Sequence, residues 1–495
     1  MRGKLDWADN CECDWSFLSH EVSYFKGLGI TKEDLVDEGV PVISYGQIHS
    51  KTNDGMHLRR DLLRYIPRTL TEGNENCRLR RGDIVFADTS EDVDGAGNCI
   101  LVDTDDEIYA GYHTLVARPK NPSCGVYLAR LFQSVAWRSQ IQSRICGIKV
   151  FSITRKILKG VSVLTPSEES QRQIVAYLDE KTAAIDARVE VLEKKLAAYR
   201  RLKTSVINRA VTRGVPGWGA DLGLGERDDR DHRDERDGSH EALATHCRAA
   251  SGAKAPKRRV SDLPEVSGVP CRGRPVNRLL RDSGVDWIGK IPEGWGVAHL
   301  KRLTKKIGSG KTPAGGAEVY GAEGVMFLRS QNVYNDGLML NDVAFITPHI
   351  DLEMSSTRVF AGDVLLNITG GSIGRCCVYT RQEHANVNQH VCIIRADTKR
   401  AHNAFIKYFW NSLGQVYLRL SQLGGNRESL NFEQIGNVLF PVPPLPEQRA
   451  IADYLDAECA KIDKMAELVT REIELYKKLK RSLINEVVTG KREVV

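Results

Sequence analysis

Two short runs in this chain contain residues that can carry chemistry. The run GSGKT at 308–312 has the lysine and glycines of a phosphate-binding loop, but such a loop needs a glycine where the chain has Lys305. The residues PAGG that follow Thr312 cannot open the helix that the loop requires. The run NPSC at 121–124 lacks the second proline and the aromatic ring that stack on a flipped base during methyl transfer. We therefore expect neither ATP binding nor methyl transfer by this chain.

The titratable residues do not form a recognisable catalytic set. His113 and His390 occupy repeated positions, but no nucleophile or acid recurs at a fixed spacing from them, which predicts structural, hydrogen-bonding histidines. Asp83 and Asp363 each follow a glycine before a strand-like run, as turn residues do. The 12 cysteines include no CxxC pair with metal-ligand spacing, so they predict reduced thiols, and we expect no metal or cofactor.

Composition limits the class of protein. A length of 495 residues is enough for about two to four domains. The formal net charge of +6 permits nucleic-acid binding without requiring it, because any basic surface must be local. No run of about 18 apolar residues occurs, and the N-terminus lacks the apolar segment of a signal peptide. We therefore expect a cytoplasmic protein with no membrane partner.

The chain contains a long internal repeat. A segment that starts at Gln171 aligns without a gap with one that starts at Gln448, at an offset of 277 positions. Identical pairs inside and upstream of these segments are Tyr177/Tyr454, Asp179/Asp456, Ile185/Ile462, Asp186/Asp463, Tyr199/Tyr476, Lys203/Lys480, Asn208/Asn485, Thr212/Thr489, Pro166/Pro443, Arg118/Arg395 and His113/His390. Further upstream the register slips by a few residues, so that Asp83 matches Asp363. Two copies of a globular segment followed by a helix imply approximate two-fold symmetry.

Both repeated segments have the apolar heptad spacing of a coiled coil. The predicted seam residues are Leu178, Ile185, Leu192, Tyr199 and Val206 in the first segment, with Leu455, Ile462, Val469, Tyr476 and Leu483 in the second. The segments contain no glycine or proline in their interiors, which predicts long helices at 166–213 and 446–491. Because the seam is narrow, each helix needs one partner. The simplest partner is the other copy, packed antiparallel, and a homodimeric coiled coil is the alternative.

The rest of the chain forms two globular halves and a charged connection. Residues 1–165 and 282–445 contain short apolar runs separated by Gly, Asn and Asp, which predicts mixed, mostly β structure with some helix. Residues 214–281 have few apolar residues and include the run ERDDRDHRDERD, which is typical of a disordered linker. The predicted fold class is α+β, with two mixed α/β domains joined by two long antiparallel coiled-coil helices.

Several motifs of the second half resemble those of type I restriction-modification specificity subunits. They are DSGVDWIGKIPEGWGV at 282–297, IGSGKTP at 307–313, GDVLLNITGGSIGR at 362–375, NVNQHVCIIR at 386–395 and PLPEQRAIADYLD at 444–456. The first half lacks the run DSGVDWIGKIPEGW and has GDIVFADTSEDVDGAGNCILVD where the second half has GDVLLNITGGSIGRCCVYT. The limits of the first domain are therefore less sharply defined by the resemblance. Divergence between the halves is also what the reading of two different half-sites requires.

The resemblance implies a protein that selects a DNA sequence for a larger complex and has no catalytic centre. By resemblance, each globular half is a target recognition domain that reads one half of a bipartite site in double-stranded DNA. The helices hold the spacing and dock two modification (methyltransferase) subunits, which restriction (endonuclease and translocase) subunits join for cleavage. Two readers on a stiff rod would fix a half-site separation, whereas a flexible tether could not.

Basic and amide side chains in predicted loops are the candidates for DNA contact. Arginine suits guanine edges, asparagine and glutamine suit adenine, and lysine more often fixes phosphates. In the second half the candidates are Lys305, Lys306, Lys311, Arg329, Gln331, Asn332, Arg375, Asn426 and Arg427. In the first half they are Arg59, Arg60, Arg64, Arg78, Arg80, Arg81, Lys149 and Arg155. The sequence does not separate base readers from phosphate contacts within this set.

Two other classes of function stay open at this point. A single-chain DNA enzyme with fused recognition domains would need a cofactor loop or a metal-carboxylate set. A purely structural coiled-coil protein would give gel shifts that are insensitive to DNA sequence and salt, whereas phosphate-dominated binding weakens steeply as salt rises.

Overall fold

The computed structural model of the chain describes residues 14–145, 147, 150–216, 218, 278–421 and 429–494. The chain divides into two compact units, of which unit 1 is Met1–Leu196 with Glu467–Val495 and unit 2 is Ala197–Ala466. Most of the predicted linker, residues 219–277, lies outside the described residues. Within the described ranges, no helix is both long enough and apolar enough to cross a membrane.

The first half of the chain alternates short strands and short helices before the first long helix. Its strands are β1 (Trp15–Phe17), β2 (Val22–Lys26), β3 (Val40–Ile43), β4 (Arg64–Ile66), β5 (Ile84–Ala87), β6 (Thr89–Ser90), β7 (Cys99–Leu101), β8 (Tyr109–Ala110), β9 (Thr114–Pro119), β10 (Phe151–Ser152) and β11 (Ser162–Leu164). Its helices are α1 (Leu18–Glu21), α2 (Tyr45–Ile48), α3 (Gly125–Phe132), α4 (Val135–Gln142), α5 (Arg155–Lys159) and α6 (Glu168–Arg213).

The second half follows the same plan and ends in the second long helix. Its strands are β12 (Leu280–Asp282), β13 (Lys290–Pro292), β14 (Gly296–His299), β15 (Thr304–Ser309), β16 (Val325–Leu328), β17 (Val333–Tyr334), β18 (Gly337–Leu338), β19 (Ala344–Ile346), β20 (Arg358–Val359), β21 (Val364–Asn367), β22 (Cys376–Val378), β23 (Ala385–Val387), β24 (Val391–Ala396) and β25 (Leu439–Val442). Its helices are α7 (Pro348–Glu353), α8 (Asn403–Trp410), α9 (Leu413–Ser421), α10 (Phe432–Asn437) and α11 (Leu445–Val488).

Both halves build the same pair of sheets. A four-stranded antiparallel sheet has the order β2-β9-β5-β7 in the first half and β15-β24-β21-β22 in the second. Another sheet contains the order β4-β3-β8 in the first half and β19-β16-β23 in the second, and in both copies its last pair of strands is parallel. The repeat therefore includes the region in which the two sequences slip out of register.

Strand β5 is apolar along its whole length because both of its faces are buried. Ile84 and Phe86 point into one core, while Val85, between them, points into another. The first of these cores also contains Leu178 of α6 and Leu483 of α11. The long helices of unit 1 are therefore an integral part of the hydrophobic core that supports the sheet.

The two long helices pack antiparallel in unit 1. Asp186 of α6 accepts a hydrogen bond from Lys480 of α11 at 2.7 Å. Further along α6, Glu193 pairs with Lys477, which lies earlier in α11, at 3.3 Å. These ion pairs are exposed and contribute about 0–1 kcal/mol each, so the buried seam rather than the ion pairs holds the helices together.

The same arrangement occurs in unit 2 with the roles of the helices exchanged. Lys203 of α6 donates to Asp463 of α11 at 2.8 Å, and Val211 of α6 shares a core with Leu455 of α11. Lys203 and Asp463 are the repeat partners of Lys480 and Asp186, so one ion pair forms twice, as expected for a duplicated, self-complementary contact. The predicted antiparallel pairing of the two copies is confirmed. All of the predicted seam residues are buried or half-buried.

Candidate nucleic-acid interface

Several loops of unit 2 meet at one edge of its sheets. Strands β15 and β21 run antiparallel to β24, and Ser309 and Asn367 at their ends pair with Cys392 and Val391 at its start. Strand β23 leads into β24 through a tight turn, and β16 runs parallel to β23, so both of these strands also end there. We call residues 310–312, 329–332, 368–375 and 388–390 the unit 2 loop edge.

A glycine allows two of these loops to approach each other closely. A Cβ atom on Gly310 would lie 1.7 Å from the carbonyl oxygen of Val387, so no other residue fits without moving the backbone. The next residue, Lys311, donates its backbone N–H to that same oxygen at 3.2 Å. The run GSGKT thus has a packing role at Gly310.

Four predicted DNA-contacting residues lie at the unit 2 loop edge: Lys311, Arg329, Gln331 and Arg375. Of these, Lys311 and Gln331 are exposed, and Arg329 pairs with Asp342 at 3.2 Å. The guanidinium of Arg375 lies 4.5 Å from the centroid of the Tyr334 ring, which is the geometry of a cation–π contact. This edge therefore presents two arginines in defined orientations.

Lys305 and Lys306 lie at the other end of β15, since Lys306 pairs with Arg395 in the β15–β24 register. Burial and the nearby guanidinium of Arg395 lower the pKa of Lys306, whose ammonium donates to the carbonyl oxygen of Ser356 at 2.6 Å. Both lysines line a cavity of about 320 Å³ that also includes Lys301. They are consequently not part of the unit 2 loop edge.

One predicted contact, Asn332, requires correction. Its side chain is buried, with 1% of its surface exposed. Its amide nitrogen donates to the carbonyl oxygens of Met339 and Asp342, both at 2.9 Å, and its oxygen accepts from the backbone of Arg329. Asn332 therefore fixes its own loop and has no free group for DNA.

A chain of hydrogen-bonded side chains crosses the unit 2 loop edge and is absent from the predicted set. Thr312 donates its hydroxyl proton to Oε1 of Gln389, and Nε2 of Gln389 lies 3.1 Å from Nε2 of His390. The other ring nitrogen of His390 lies 2.7 Å from Oγ1 of Thr369. His390 thus makes structural hydrogen bonds, as predicted. The sequence offered one signal for Gln389: it directly precedes His390, a histidine that the repeat retains as His113.

Unit 1 has an equivalent edge. Strands β2 and β5 end beside the start of β9, where Lys26 pairs with Leu115 and Ala87 pairs with Thr114. A Cβ atom on Gly27 would lie 2.0 Å from the carbonyl oxygen of Gly111, so Gly27 has the same role here as Gly310 in unit 2. We call residues 27–28, 44–45, 88–89 and 111–113 the unit 1 loop edge.

Aromatic rings cluster at the unit 1 loop edge. The ring centroid of Tyr45 lies 5.6 Å from that of Tyr112 and 5.5 Å from that of His113. His113 has a φ of 54°, and among the described residues it is the single non-glycine residue with positive φ. Its Nδ1 lies 3.2 Å from the carboxylate of Asp88. This edge therefore presents rings where the unit 2 loop edge presents amide and hydroxyl groups.

The predicted arginines of the first half lie in two places. Arg64 begins β4 beside the end of β3, which brings it close to the unit 1 loop edge. Arg60 pairs with Asp106 at 2.7 Å, and Asp106 is next to Asp105, the partner of Arg81, at the end of the sheet away from the unit 1 loop edge. Arg59 pairs with Asp61 at 2.6 Å, so carboxylates within unit 1 balance both of these arginines.

The other predicted residues of the first half lie elsewhere or outside the described residues. Arg78, Arg80 and Arg81 precede β5 and so lie at the end of the sheet away from the unit 1 loop edge. Arg81 pairs with Asp105 at 3.0 Å. Arg155 is exposed at the start of α5. Lys149, Asn426 and Arg427 are outside the described residues.

The repeated aspartates do more than hold turns. Asp83 accepts two hydrogen bonds from Arg118 at 2.8 Å and 2.7 Å, and Asp363 accepts two from Arg395, both at 2.7 Å. Both carboxylates are buried, with 1% and 2% of their surface exposed. Each also accepts a backbone N–H from three residues earlier, as a turn residue does. We call these contacts the twin ion pairs, because each fixes the start of β5 or β21 to β9 or β24.

A buried polar network supports unit 2 beneath its sheet of β19, β16, β23 and β20. Asp351 accepts hydrogen bonds from Nε of Arg358 at 2.9 Å, from Nε2 of His384 at 3.1 Å and from the side-chain amide of Asn386 at 2.8 Å. Burial alone would raise the pKa of the Asp351 carboxyl, but these hydrogen bonds outweigh it and hold the pKa below the ordinary value of 3.8. The carboxylate therefore stabilises the fold in its charged form.

This network predicts acid sensitivity of unit 2. Because the folded pKa of Asp351 is lowered, its stabilisation is fully present above pH 3.8 and is lost as pH falls through the lower folded pKa. We expect Asp351→Asn to reduce the free energy of unfolding near neutral pH and to flatten its dependence on pH below pH 3.8. Denaturant unfolding at a series of pH values measures both effects. Parallel curves for the two proteins would contradict this assignment.

The described residues give few opportunities for metal or thiol chemistry. No group of three or more His, Cys, Asp or Glu side chains within the described ranges is placed to hold a metal ion. Burial raises the pKa of Cys99 and of Cys392 to about 12, so both are protonated thiols that pack as small apolar side chains.

Comparisons with known proteins match this chain to specificity subunits. A family model described as the type I restriction modification DNA specificity domain matches residues 292–474. The type I restriction enzyme MjaX specificity subunit of Methanocaldococcus jannaschii is 23% identical over 444 residues, which cover 87% of this chain and 83% of that protein. The EcoKI specificity subunit of Escherichia coli is 23% identical over 208 residues, which cover 41% of this chain and 44% of that protein.

A solved structure shares the fold along nearly the whole chain. A chain from a structural study of complex assembly and conformational transition of the type I R-M system superposes with a TM-score of 0.60 at 15% identity, covering 97% of this chain and 98% of that one. The matched family model is that of a DNA specificity domain and falls in the second half of the chain, and the described fold has two similar halves. The predicted resemblance to type I restriction-modification specificity subunits is confirmed.

Proposed function

We propose that this chain is the DNA sequence-specificity subunit of a type I restriction-modification complex and has no catalytic centre of its own. The observation that carries the proposal is the duplicated loop edge, which occurs once in each unit on the same sheet framework. The frameworks agree, but exposed polar groups such as Gln389 line one edge and rings such as Tyr112 line the other. Two similar supports with different side chains suit the reading of two different half-sites in double-stranded DNA.

We further propose that the helices fix the distance between the half-sites and carry the other subunits. Helix α6 has 46 residues and α11 has 44, which correspond to rods of about 69 Å and 66 Å at 1.5 Å per residue. One helical turn of DNA is about 34–36 Å long, so rods of this length suit two separated stretches of duplex. The expected partners are two modification (methyltransferase) subunits and the restriction subunits, and the expected location is the cytoplasm.

The proposed interface is narrower than the set of basic residues that the sequence suggests. We propose domain limits of 1–165 and 282–445, with helices at 166–213 and 446–491 and a linker at 214–281. The proposed base-reading or phosphate-binding residues at the loop edges are Lys311, Arg329, Gln331, Arg375 and Arg64, whereas Arg59 and Arg60 are proposed as phosphate contacts away from these edges. Residues away from these edges, such as Lys305 and Arg78, would contact phosphates only.

A domain exchange tests the proposed function. The chain is purified with its modification subunits, and the methylation pattern is read on a DNA library that contains all short sequences. We expect a bipartite motif, and we expect one half of that motif to change when residues 282–445 are replaced by the matching segment of another specificity subunit. The other half should stay the same, because residues 1–165 are unaltered.

Three results would contradict the proposed function. Methylation or cleavage by this chain alone would make it an enzyme. A wild-type complex that modifies DNA without a bipartite motif would remove the role in sequence selection. A change in both halves of the motif after the exchange would show that the two halves of the chain do not read independently.

A further inference from the structure

Gln389 is an exposed member of the hydrogen-bonded chain at the unit 2 loop edge. It lies in the turn between β23 and β24, and its neighbour Asn388 is largely buried. The backbone N–H of Asn388 donates to the carbonyl oxygen of Leu328, and its side-chain oxygen accepts the backbone N–H of His390. The turn that carries Gln389 is therefore held from two sides, and an exposed side chain projects from a fixed backbone.

The hydrogen-bond partners of Gln389 use part of the hydrogen-bonding capacity of its amide. Thr312 donates to Oε1, so Oε1 faces Thr312, and Nε2 faces His390 at 3.1 Å. His390 accepts this N–H at Nε2 when its proton is on Nδ1, from where it can donate to Oγ1 of Thr369 at 2.7 Å. A reversed amide is satisfied equally when the His390 proton is on Nε2, since His390 then donates to Oε1 and Nε2 of Gln389 donates to Thr312, so either arrangement uses one donor and one acceptor of Gln389.

In either arrangement, one N–H group and one oxygen lone pair of the Gln389 amide are not used by Thr312 or His390. A primary amide has two N–H groups and two oxygen lone pairs, and His390 and Thr312 each use one of them. The pair that is left matches adenine in the major groove, where N7 accepts and the N6 amino group donates. Guanine offers two acceptors at the same place and cytosine offers only a donor, so neither satisfies both groups.

The internal repeat supports a reading role at this position. Gln389 aligns with Tyr112 at the offset of 277, and the histidines that follow them, His390 and His113, are identical. Both histidines bond to the loop after the equivalent strand, at Thr369 in unit 2 and at Asp88 in unit 1. The histidine is thus the same in both copies, whereas the residue before it is Gln389 in one and Tyr112 in the other. Two half-sites of different sequence would require such a difference.

We propose that Gln389 is a specificity-determining residue that reads an adenine in the half-site of unit 2, with Thr312 and His390 as positioning residues. This inference rests on the proposed function. Lys311 and Arg375, which lie at the same edge, supply the positive charge that would hold the DNA backbone there.

The test uses the complete complex of this chain with its modification subunits and the same DNA library. We expect Gln389→Ala to relax the motif at one adenine position of one half-site, with a loss of about ten- to hundredfold in discrimination at that position. We expect Gln389→Glu, which has the same shape but only acceptor oxygens, to shift the preference at that position from adenine towards cytosine, whose N4 amino group donates.

Two further variants separate reading from positioning and from general damage. His390→Ala should relax the same position to a smaller extent, because Gln389 stays but loses its fixed orientation. Gln382→Ala alters an exposed glutamine at the other end of β23 and should leave the motif unchanged. The half-site of the first domain should be the same in all four proteins.

The outcomes distinguish this inference from the proposed function. A wild-type complex that methylates DNA without a bipartite motif overturns both the proposed function and the role of Gln389. A bipartite motif that Gln389→Ala and Gln389→Glu leave unchanged overturns the role of Gln389 alone. A changed position that is not an A·T pair in the wild-type motif overturns the assignment of adenine.

Discussion

Replacement of Leu455 with alanine is expected to lower the free energy of unfolding of unit 2 by about 2–5 kcal/mol. Leu455 lies on α11, none of its surface is exposed, and it shares a core with Val211 of α6 and Phe409 of α8. Removal of its side chain takes apolar contacts from the helix seam and the domain core at once, and the surrounding helices cannot collapse fully into the space. Denaturant or thermal unfolding of the full chain measures the loss.

The repeat provides a matched comparison for this variant. Leu178 is the repeat partner of Leu455 and is equally buried in unit 1, so Leu178→Ala should produce a loss of similar size in the transition of unit 1. Leu468, also on α11, has 60% of its surface exposed, and Leu468→Ala should change the free energy of unfolding by less than about 0.5 kcal/mol. Equal effects for the buried and exposed leucines would contradict the assignment of the seam.

Loss of one member of a twin ion pair is expected to cost about 2–4 kcal/mol in the free energy of unfolding. Arg395→Met keeps most of the side-chain volume but leaves the carboxylate of Asp363, which is 2% exposed, without its two charged hydrogen bonds. A buried unpaired carboxylate is costly, so the fold must either accept that cost or protonate the group. Chemical denaturation of the purified variant measures this effect.

A second change should reverse part of this loss. In the double variant Arg395→Met with Asp363→Asn, the buried charge is absent, and we expect stability above that of Arg395→Met alone. Arg381→Met is the matched control, because Arg381 forms an exposed pair with Glu383 at 3.7 Å that contributes about 0–1 kcal/mol. If Arg381→Met destabilised the chain as much as Arg395→Met, burial of the pair would not be the cause.

The long helices were predictable from sequence because their signal is local and periodic. An apolar residue every seventh position, such as Leu178 and Ile185, predicts a seam whatever the partner is. The repeat then supplied the partner, since a duplicated helix with one seam packs most simply against its own copy. The ion pair between Asp186 and Lys480 joins residues that are far apart in the chain, and so only the structure reveals it.

The loop edges could not be predicted in the same way, because they depend on the order of strands in the sheets. Lys305 and Lys311 are six positions apart, yet they lie at opposite ends of β15. Asn332 has the residue type of a base reader, but its loop buries it and uses every one of its polar atoms. Arg60 has the charge of a phosphate contact, but a carboxylate at position 106 pairs with it across a long separation in sequence.

The pairing of arginines with carboxylates in unit 1 has a consequence for the kinetics of association. Arg60, Arg68 and Arg81 pair with Asp106, Glu107 and Asp105, so the positive field that these arginines contribute to unit 1 falls off over a short distance. Long-range attraction of a polyanion depends on charge that is not cancelled locally. If the two halves bind DNA as proposed, the first collision should more often be captured by unit 2, and the first domain should engage by short-range fit after the duplex has already been held.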